Sequence, residues 1–321
     1  QEVVFGENSM YNALGENVTK NFRRFPEADV SSTAIREWYE QMSAGKGPIY
    51  LRVPDDGGEG LQQFWDRPYG IPFWHADFGK EGKAAGLDPE GEVTAGLVGE
   101  QSSLRVEEDM QTTIRGLFAA GDVCYCGSAA PGAVPAPPGR NRGSGILNAV
   151  FAGIISGENA AEQAGNIPEP CVDEGQVETF LADAYAPLHR DSGVTPKEVI
   201  DGIQEILCPV ENSVYMSQSR LNVCLRKLEK VKAKAANMKA DDLHGMMNCH
   251  EAQAMVLCAE MQLRASSMRK ESRGWFLRED YPEMDNENWL KWIIVHNQNG
   301  EMVFHTEDVP IEQYDVQPPR R

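Results

Sequence analysis

Gly121 and Asp122 are the residues of this chain whose types and position are best suited to chemistry. They follow residues 117–120, an apolar run (LFAA) that predicts a buried strand. Glycine lets another group approach the backbone closely, and open α/β sheets bind ligands beyond the carboxyl ends of their strands. A carboxylate there can accept hydrogen bonds from sugar or ribityl hydroxyls. An ordinary strand-to-loop turn that ends in Asp is the alternative, and these residues alone leave it open.

A glycine-rich helix start follows, after a loop of Pro, Gly and Ala residues. Its amino end contains Gly143, Ser144 and Gly145. Apolar residues then recur at helical spacing: Ile146, Leu147, Val150, Phe151 and Ile154. The free N–H groups and the positive dipole end of such a helix favour an electron-rich oxygen.

A strand that ends in Gly-Asp, a loop and a glycine-rich helix start resemble the second FAD-binding segment of one flavoprotein family. This is the fumarate reductase/succinate dehydrogenase family, which includes the adenylylsulfate reductase α subunit and L-aspartate oxidase. Residues 269–274 (RKESRG), 278–282 (REDYP) and 287–291 (ENWLK) are similar to the carboxy-terminal region of the same family. The resemblance extends over roughly residues 90 to 305, and both motifs occur in the family's order.

The resemblance implies that FAD is the cofactor and that five residues bind it. Gly121 and Asp122 would lie at the end of the strand. Ser144, Gly145 and Ile146 would offer backbone N–H groups to the pyrimidine end of the flavin, where the helix dipole stabilises negative charge on the reduced ring.

The resemblance also implies a catalytic arginine just before the glycine-rich helix, which clamps an anionic substrate and lies on the proton route. Arg140 is the best match and Arg142 is its neighbour, although PPGRNRGSG does not reproduce the family's N-R-L-G spacing. A structural or phosphate-facing role for Arg140 remains open. Ala95 stands where fumarate and succinate enzymes have a histidine, and alanine can neither donate a hydrogen bond nor carry charge. This departure disfavours succinate or fumarate as the substrate.

Composition narrows the choice of partners. The 321 residues carry a net charge of −19, which argues against nucleic acid and anionic membranes. A membrane-spanning helix needs about 18 consecutive apolar residues, and the chain has no such run. No signal peptide is expected either. The expected location is therefore the cytoplasm, either free or peripheral to a membrane complex.

The seven cysteines do not form a metal-binding pattern. Their odd number and the absence of repeated C-x-x-C spacing fit neither a disulfide framework nor an iron–sulfur or zinc site. We therefore expect reduced thiols and no metal in this chain. Electrons would pass to an iron–sulfur partner subunit.

The chain also lacks the strand–G-x-G-x-x-G–helix unit that holds the pyrophosphate in a two-segment FAD site. It begins at Gln1, without Met. The simplest expectation is the carboxy-terminal portion of a longer flavoprotein. In the alternative, another chain supplies the missing amino-terminal FAD-binding half.

The predicted fold is an α/β FAD-binding portion with an α-helical bundle and a small carboxy-terminal β-hairpin, α+β overall. The predicted segments are a partial capping domain (1–105), the second segment of the FAD-binding domain (106–165), a helical domain (166–280), and a hairpin with a tail (281–321). A hairpin or strand pair is expected at residues 93–109. Helices are predicted at 31–44, 176–185, 195–207, 217–234 and 250–268, and a strand at 48–54. Residues 195–198 (TPKE) predict a capping box at the start of the third of these helices. The apolar face of the last helix contains residues at helical spacing: Ala254, Leu257, Cys258, Met261 and Ala265. Gln298-Asn299-Gly300 predicts the hairpin turn.

Three functions fit this sequence. The first is a flavoprotein subunit that moves hydride and electrons between FAD and a small anionic substrate. The second is a non-catalytic assembly subunit, which Ala95 and the missing glycine fingerprint would suit. The third is an enzyme similar to L-aspartate oxidase. For Arg273 and Arg278 in the second motif, ion pairing with Glu271, Glu279 or Asp280 is favoured over a role in the active-site cleft.

Overall fold

The computed structural model describes residues 10–18, 30–52, 90–93, 104–124, 144–168, 171–273, 276–310 and 312. The chain forms two compact units, Gln1–Gly96 and Leu97–Arg321. The described residues combine helices with small sheets.

The described residues of the first unit form one small antiparallel sheet and one helix. Strand β1 (Met10–Tyr11) pairs with β2 (Ile49–Arg52), and β2 pairs with β3 (Glu90–Val93). Helix α1 (Val30–Ser43) precedes β2, and Ile49 is fully buried. The helix and strand expected at residues 31–44 and 48–54 are therefore present, with slightly different ends.

The second unit begins with an irregular segment, so the strand predicted at residues 117–120 is wrong. Phe118 makes only an isolated bridge to Gln111, and the run ends in a 3₁₀ turn, Gly121–Val123. The chain reverses at Gly116, whose φ is +84°. The run therefore folds back onto residues 110–112 instead of extending a sheet. Residues 104–109 contain no strand either, and residues 94–103 of the expected strand pair lie outside the described residues.

Two helices follow this segment. Helix α2 (Ser144–Asn166) is the glycine-rich helix that the sequence predicts, and α3 (Glu174–Tyr185) follows after a short connection. The Asp173 side chain caps α3 by accepting a hydrogen bond from the N–H of Gln176.

The main core lies between three further helices. They are α4 (Pro196–Leu207), α6 (Gln218–Ala235) and α7 (Leu243–Met268), and the one-turn helix α5 (Val210–Ser213) lies between the first two. The predicted capping box is present, because Thr195 and Glu198 each bond the other's backbone N–H. Fully buried apolar residues from all three helices meet in one cluster: Val199, Leu221, Leu228, Ala252 and Leu263.

Helix α7 differs from its prediction in both its start and its buried face. It begins at Leu243, where the Asp242 side chain caps it through the N–H of Gly245. The expected buried face contained Leu257 and Cys258, but both side chains are exposed. The helix instead buries the opposite side, whose members are Cys249, Ala252, Val256, Ala259 and Leu263. The apolar residues of α7 are distributed over all of its sides, so their spacing could not identify the side that packs.

The last part of the chain packs onto the bundle. Strand β4 (Tyr215–Met216) pairs in parallel with β5 (Leu277–Arg278), and the one-turn helix α8 (Asn286–Trp289) follows. Strands β6 (Lys291–Gln298) and β7 (Glu301–Asp308) form the predicted hairpin. Its turn contains Asn299 and Gly300 at positive φ, as Asn-Gly hairpin turns require. Arg264 of α7 joins this hairpin to the bundle by donating to the carbonyl of Met302 and lying over the ring of Phe304.

Candidate functional site

Gly121 brings the 3₁₀ turn against helix α2. Its φ is +76°, and a Cβ at this position would lie 3.4 Å from the Cβ of Ala149 in the second turn of α2. Glycine is therefore favoured here by the left-handed backbone, and the turn lies within van der Waals reach of the helix. The two features that the sequence singled out, Gly-Asp and the glycine-rich helix start, lie next to each other.

Further contacts hold the loop before Gly121 along the same side of α2. Asn159 donates one hydrogen bond to the carbonyl of Asp109 (3.4 Å) and another to that of Ile155 (2.9 Å). One turn further on, the Gln163 amide oxygen would lie 3.5 Å from a Cβ at Gly116. The loop and the helix therefore form one local unit.

The other side of α2 carries an apolar surface that no described residue covers. Its four large side chains are 74% (Ile146), 58% (Val150), 62% (Phe151) and 56% (Ile154) exposed. At 100° per residue, these four positions centre about 180° from Ala149, Ala152 and Asn159, which face the loop. Residues 144–157 contain no charged side chain. We call these four residues the apolar stripe of α2.

The structure places some of the predicted site residues and leaves others outside its description. Gly121 and the backbone of Asp122 lie in the 3₁₀ turn, and Ser144, Gly145 and Ile146 form the first turn of α2. The side chains of Asp122 and Ser144 are outside the described part. Arg140 and Arg142, the predicted catalytic residues, also lie outside the described residues.

A second cluster of charged residues surrounds Glu271, which is fully buried. Its carboxylate accepts hydrogen bonds from Arg269 Nη1 (2.5 Å), from Arg273 Nε (2.9 Å) and Nη2 (3.0 Å), and from the N–H of Asp285 (2.9 Å). Arg273 Nη2 also donates to Asn286 Oδ1 at 2.7 Å. Burial lowers the pKa of Arg269, while the charge of Glu271 opposes that effect. One carboxylate thus pairs with two arginines.

Arg278 is also fully buried, and its five N–H groups all have partners. Nη1 donates to the carbonyls of Ser266 (2.7 Å) and Arg269 (2.9 Å), and Nη2 donates to the Gln218 amide oxygen (3.2 Å). Nε and Nη2 form a two-point ion pair with Asp280, at 2.8 Å each. This guanidinium has no donor left for a substrate, so the structural role expected for Arg278 is confirmed.

The hydrogen bonds from Arg278 lower the pKa of Asp280 from its ordinary value of 3.8 to about 2, and the N–H of Gln218 adds to the effect. Sequence reasoning anticipated these ion pairs but missed Glu271 as the shared acceptor for two arginines. A single Glu two residues from an Arg on each side, in RKESR, was the available signal.

Among the described residues, no three His, Cys, Asp or Glu side chains come close enough together to hold a metal ion. No helix in that part of the chain has both the length and the apolar character to cross a membrane.

Replacing Glu271 by Gln should destabilise the fold by about 3–5 kcal/mol, because two buried arginines lose their shared counter-charge. The measurement is urea unfolding at neutral pH. Glu229→Gln, an exposed change of the same type on α6, is the matched control and should shift the unfolding free energy by less than about 0.5 kcal/mol. Equal effects of the two substitutions would contradict the role of Glu271.

Asp280 should contribute stability that is lost at acid pH. Its pKa is lower in the folded than in the unfolded chain, so the stabilisation is complete above about pH 4 and disappears as the pH falls toward 2. The difference in unfolding free energy between the wild type and Asp280→Asn should therefore be largest at pH 5, shrink below about pH 4 and be mostly lost by about pH 2. Asp241→Asn, at an exposed position, serves as the control. A constant difference between wild type and Asp280→Asn over this range would rule out the linkage.

Comparison with known proteins supports the resemblance that the two motifs carry. Residues 209–321 match the family described as the fumarate reductase flavoprotein carboxy-terminal region. An uncharacterized FAD-dependent oxidoreductase of Methanocaldococcus jannaschii is 27% identical over 60% of this chain and 33% of its own length. The 8-methylmenaquinol:fumarate reductase flavoprotein subunit of Wolinella succinogenes is 26% identical over 98% of this chain and 52% of its own length.

A solved structure has the same fold. Quinol fumarate reductase of E. coli aligns with 98% of this chain and 56% of its own chain, with a TM-score of 0.74 and 18% identity. The chain thus spans between a third and about half of the length of these relatives. The match of residues 209–321 and these relatives confirm the chain's resemblance to the carboxy-terminal portion of fumarate reductase/succinate dehydrogenase flavoproteins.

Proposed function

We propose that this chain is the carboxy-terminal portion of a flavoprotein oxidoreductase subunit. Through FAD, the protein would move hydride and electrons to or from a small anionic substrate. The observation that carries this proposal is the contact of Gly121 with the second turn of α2. A shared location for an acidic turn and a helix amino terminus is what a flavin nucleotide requires, because its hydroxyls need an acceptor and its ring oxygens need donors.

Three features of the chain support FAD as the cofactor. Gly121 supplies the left-handed backbone conformation of the turn that lies beside α2. Asp122 follows directly and would accept hydrogen bonds from ribose or ribityl hydroxyls. The first turn of α2 would direct the N–H groups of Ser144, Gly145 and Ile146 at the flavin ring, and its dipole favours negative charge there. When bound, FAD would supply the hydride-transfer chemistry.

The apolar stripe of α2 supports the view that more protein completes this site. A stripe of four large apolar side chains packs in most α/β proteins against a sheet, and the relatives extend well beyond the span of this chain. We infer that a dinucleotide-binding part covers the stripe and holds the pyrophosphate. The covering part belongs either to the same polypeptide or to another chain.

The proposed catalytic residues are Arg140 and Arg142. An arginine fork binds a carboxylate or sulfate at two points and stays charged at any working pH, so it can hold the substrate and pass a proton along its N–H groups. Ala95 disfavours succinate and fumarate, so a substrate like adenylylsulfate or another small anion fits better. The electrons would leave through an iron–sulfur partner subunit.

Ala95 also favours one alternative from a different class. A subunit that keeps this fold but serves only in assembly would have no need for the missing histidine. A flavin absorption spectrum that changes on addition of substrate separates an enzyme from an assembly subunit. An enzyme similar to L-aspartate oxidase would in addition work without an iron–sulfur partner.

Asp122→Ala should weaken flavin retention roughly tenfold, because a carboxylate that accepts hydrogen bonds from hydroxyls contributes about 1.5 kcal/mol or more. The measurement is the flavin-to-protein absorbance ratio after dialysis of the flavin-loaded protein. Asp201→Ala, which removes an exposed carboxylate from α4, should retain flavin like the wild type. Full occupancy of Asp122→Ala would remove this residue from the site.

Arg140→Ala should leave flavin bound but lower substrate turnover at least tenfold, ~1.4 kcal/mol of transition-state stabilisation. Arg140→Lys keeps the charge but loses the fork, and it should recover only part of the rate. Arg115→Ala, at an exposed position on the described loop, is the control. Turnover unchanged by Arg140→Ala would assign the substrate contact to another residue.

A further inference from the structure

We propose that the outward face of helix α6 is a docking surface for a compact acidic protein. Four cations form this face, and we call them the basic stripe: Arg226, Lys227, Lys230 and Lys234. All four side chains are exposed. Within the described residues, none of the four has a carboxylate within ion-pair distance.

The basic stripe stands out against the charge of the rest of the chain. Helix α6 carries six Lys and Arg residues and one Glu, whereas the whole chain carries 30 Lys and Arg against 49 Asp and Glu. In so acidic a chain, a helix with this excess of positive charge forms a local region of opposite potential. Such a region attracts acidic surfaces and orients them before contact.

Two other cations of α6 form ion pairs with carboxylates of neighbouring segments. Lys232 pairs with the nearly buried Glu260 at 2.6 Å, and Arg220 pairs with Glu279 at 2.9 Å. Both acceptors belong to elements that pack beside α6. The basic stripe lies on the opposite side from the buried residues Leu221 and Leu228, out of reach of such partners.

The spacing of the stripe is unfavourable in the absence of a partner. Arg226, Lys230 and Lys234 follow one another at intervals of four residues, so each lies one turn from a like charge. Such pairs of like charges destabilise a helix. A partner that brings carboxylates to this line removes the repulsion, which favours its binding.

The dimensions of the stripe favour a compact protein over a polyanion. Residues 226 to 234 span about 12 Å along the helix axis, close to the distance of about 8–10 Å over which salt screens charge. A small acidic patch can meet the stripe alone, whereas a nucleic acid or an anionic membrane extends over more of a chain whose net charge is −19. Val223, exposed beside the stripe, supplies the apolar contact that interfaces place among their charges.

The partner that fits best is a small acidic electron carrier, because electron-transfer complexes use small, electrostatically steered interfaces. The electron-transfer role rests on the proposed function, but the docking itself does not. Binding can therefore be measured without flavin reduction or substrate turnover.

The experiment titrates the full chain with an acidic plant-type [2Fe–2S] ferredoxin as the probe and measures Kd at 20 and 200 mM salt. The stripe variant combines Arg226→Glu, Lys230→Glu and Lys234→Glu. The matched control combines Arg115→Glu, Lys197→Glu and Lys270→Glu, which changes the net charge by the same amount at exposed positions elsewhere. Circular dichroism verifies that both variants fold.

We expect the wild type to bind the probe at low salt, with an affinity at least tenfold weaker at 200 mM salt. The stripe variant should bind at least tenfold more weakly than the wild type, and the control within twofold of it. No binding to the wild type, or equal losses in the two variants, would overturn the proposal. Tighter binding of a short DNA duplex or of phosphatidylserine vesicles through the same three residues would overturn the choice of an acidic protein. Loss of flavin in Asp122→Ala has no bearing on these results, so the two proposals fail independently.

Discussion

The close approach of Gly121 to Ala149 is the constraint on which the functional interpretation depends. A side chain at residue 121 would require an unfavourable left-handed backbone conformation and would lie in van der Waals contact with the helix. The contact joins a turn that carries an acidic residue to the amino end of a long helix. Neither feature alone indicates a cofactor site, because Asp often ends a turn and every helix has free N–H groups at its start. It is their shared position that supports the proposal of a cofactor site.

The charge cluster of the second motif has a different purpose. Glu271 and Arg278 are fully buried, and their hydrogen bonds join the end of α7 to β5 and to the segment before the hairpin. Buried charges of this kind are neutral or unfavourable for stability compared with apolar residues, but they tolerate only one arrangement of their neighbours. The motif that resembles the family's carboxy-terminal region thus encodes the geometry of this region. Arg278 of this motif has no free N–H donor with which to bind a substrate.

Sequence reasoning succeeded where local chemistry decides the structure. The capping box at Thr195 and Glu198 and the turn at Asn299 and Gly300 are fixed by the residues that form them. It failed where distant contacts decide. The strand expected at residues 117–120 has no described neighbouring strand to pair with, and α7 is apolar on all sides, so only packing could select its buried face. In the candidate site, the sequence identified Gly121 and the start of α2. It could not foresee the backbone contact between them.

The uneven packing of α2 has a consequence for how the site opens. Ala152 is the one buried residue among its described side chains, whereas α4, α6 and α7 bury a continuous core. Local opening of α2 therefore requires much less free energy than opening of the bundle. The turn at Gly121 and the first turn of α2 can separate while the three-helix core stays folded. In the described part of the chain, such an opening would expose the amino end of α2 through a reversible local fluctuation, while the bundle keeps the rest of the polypeptide in place.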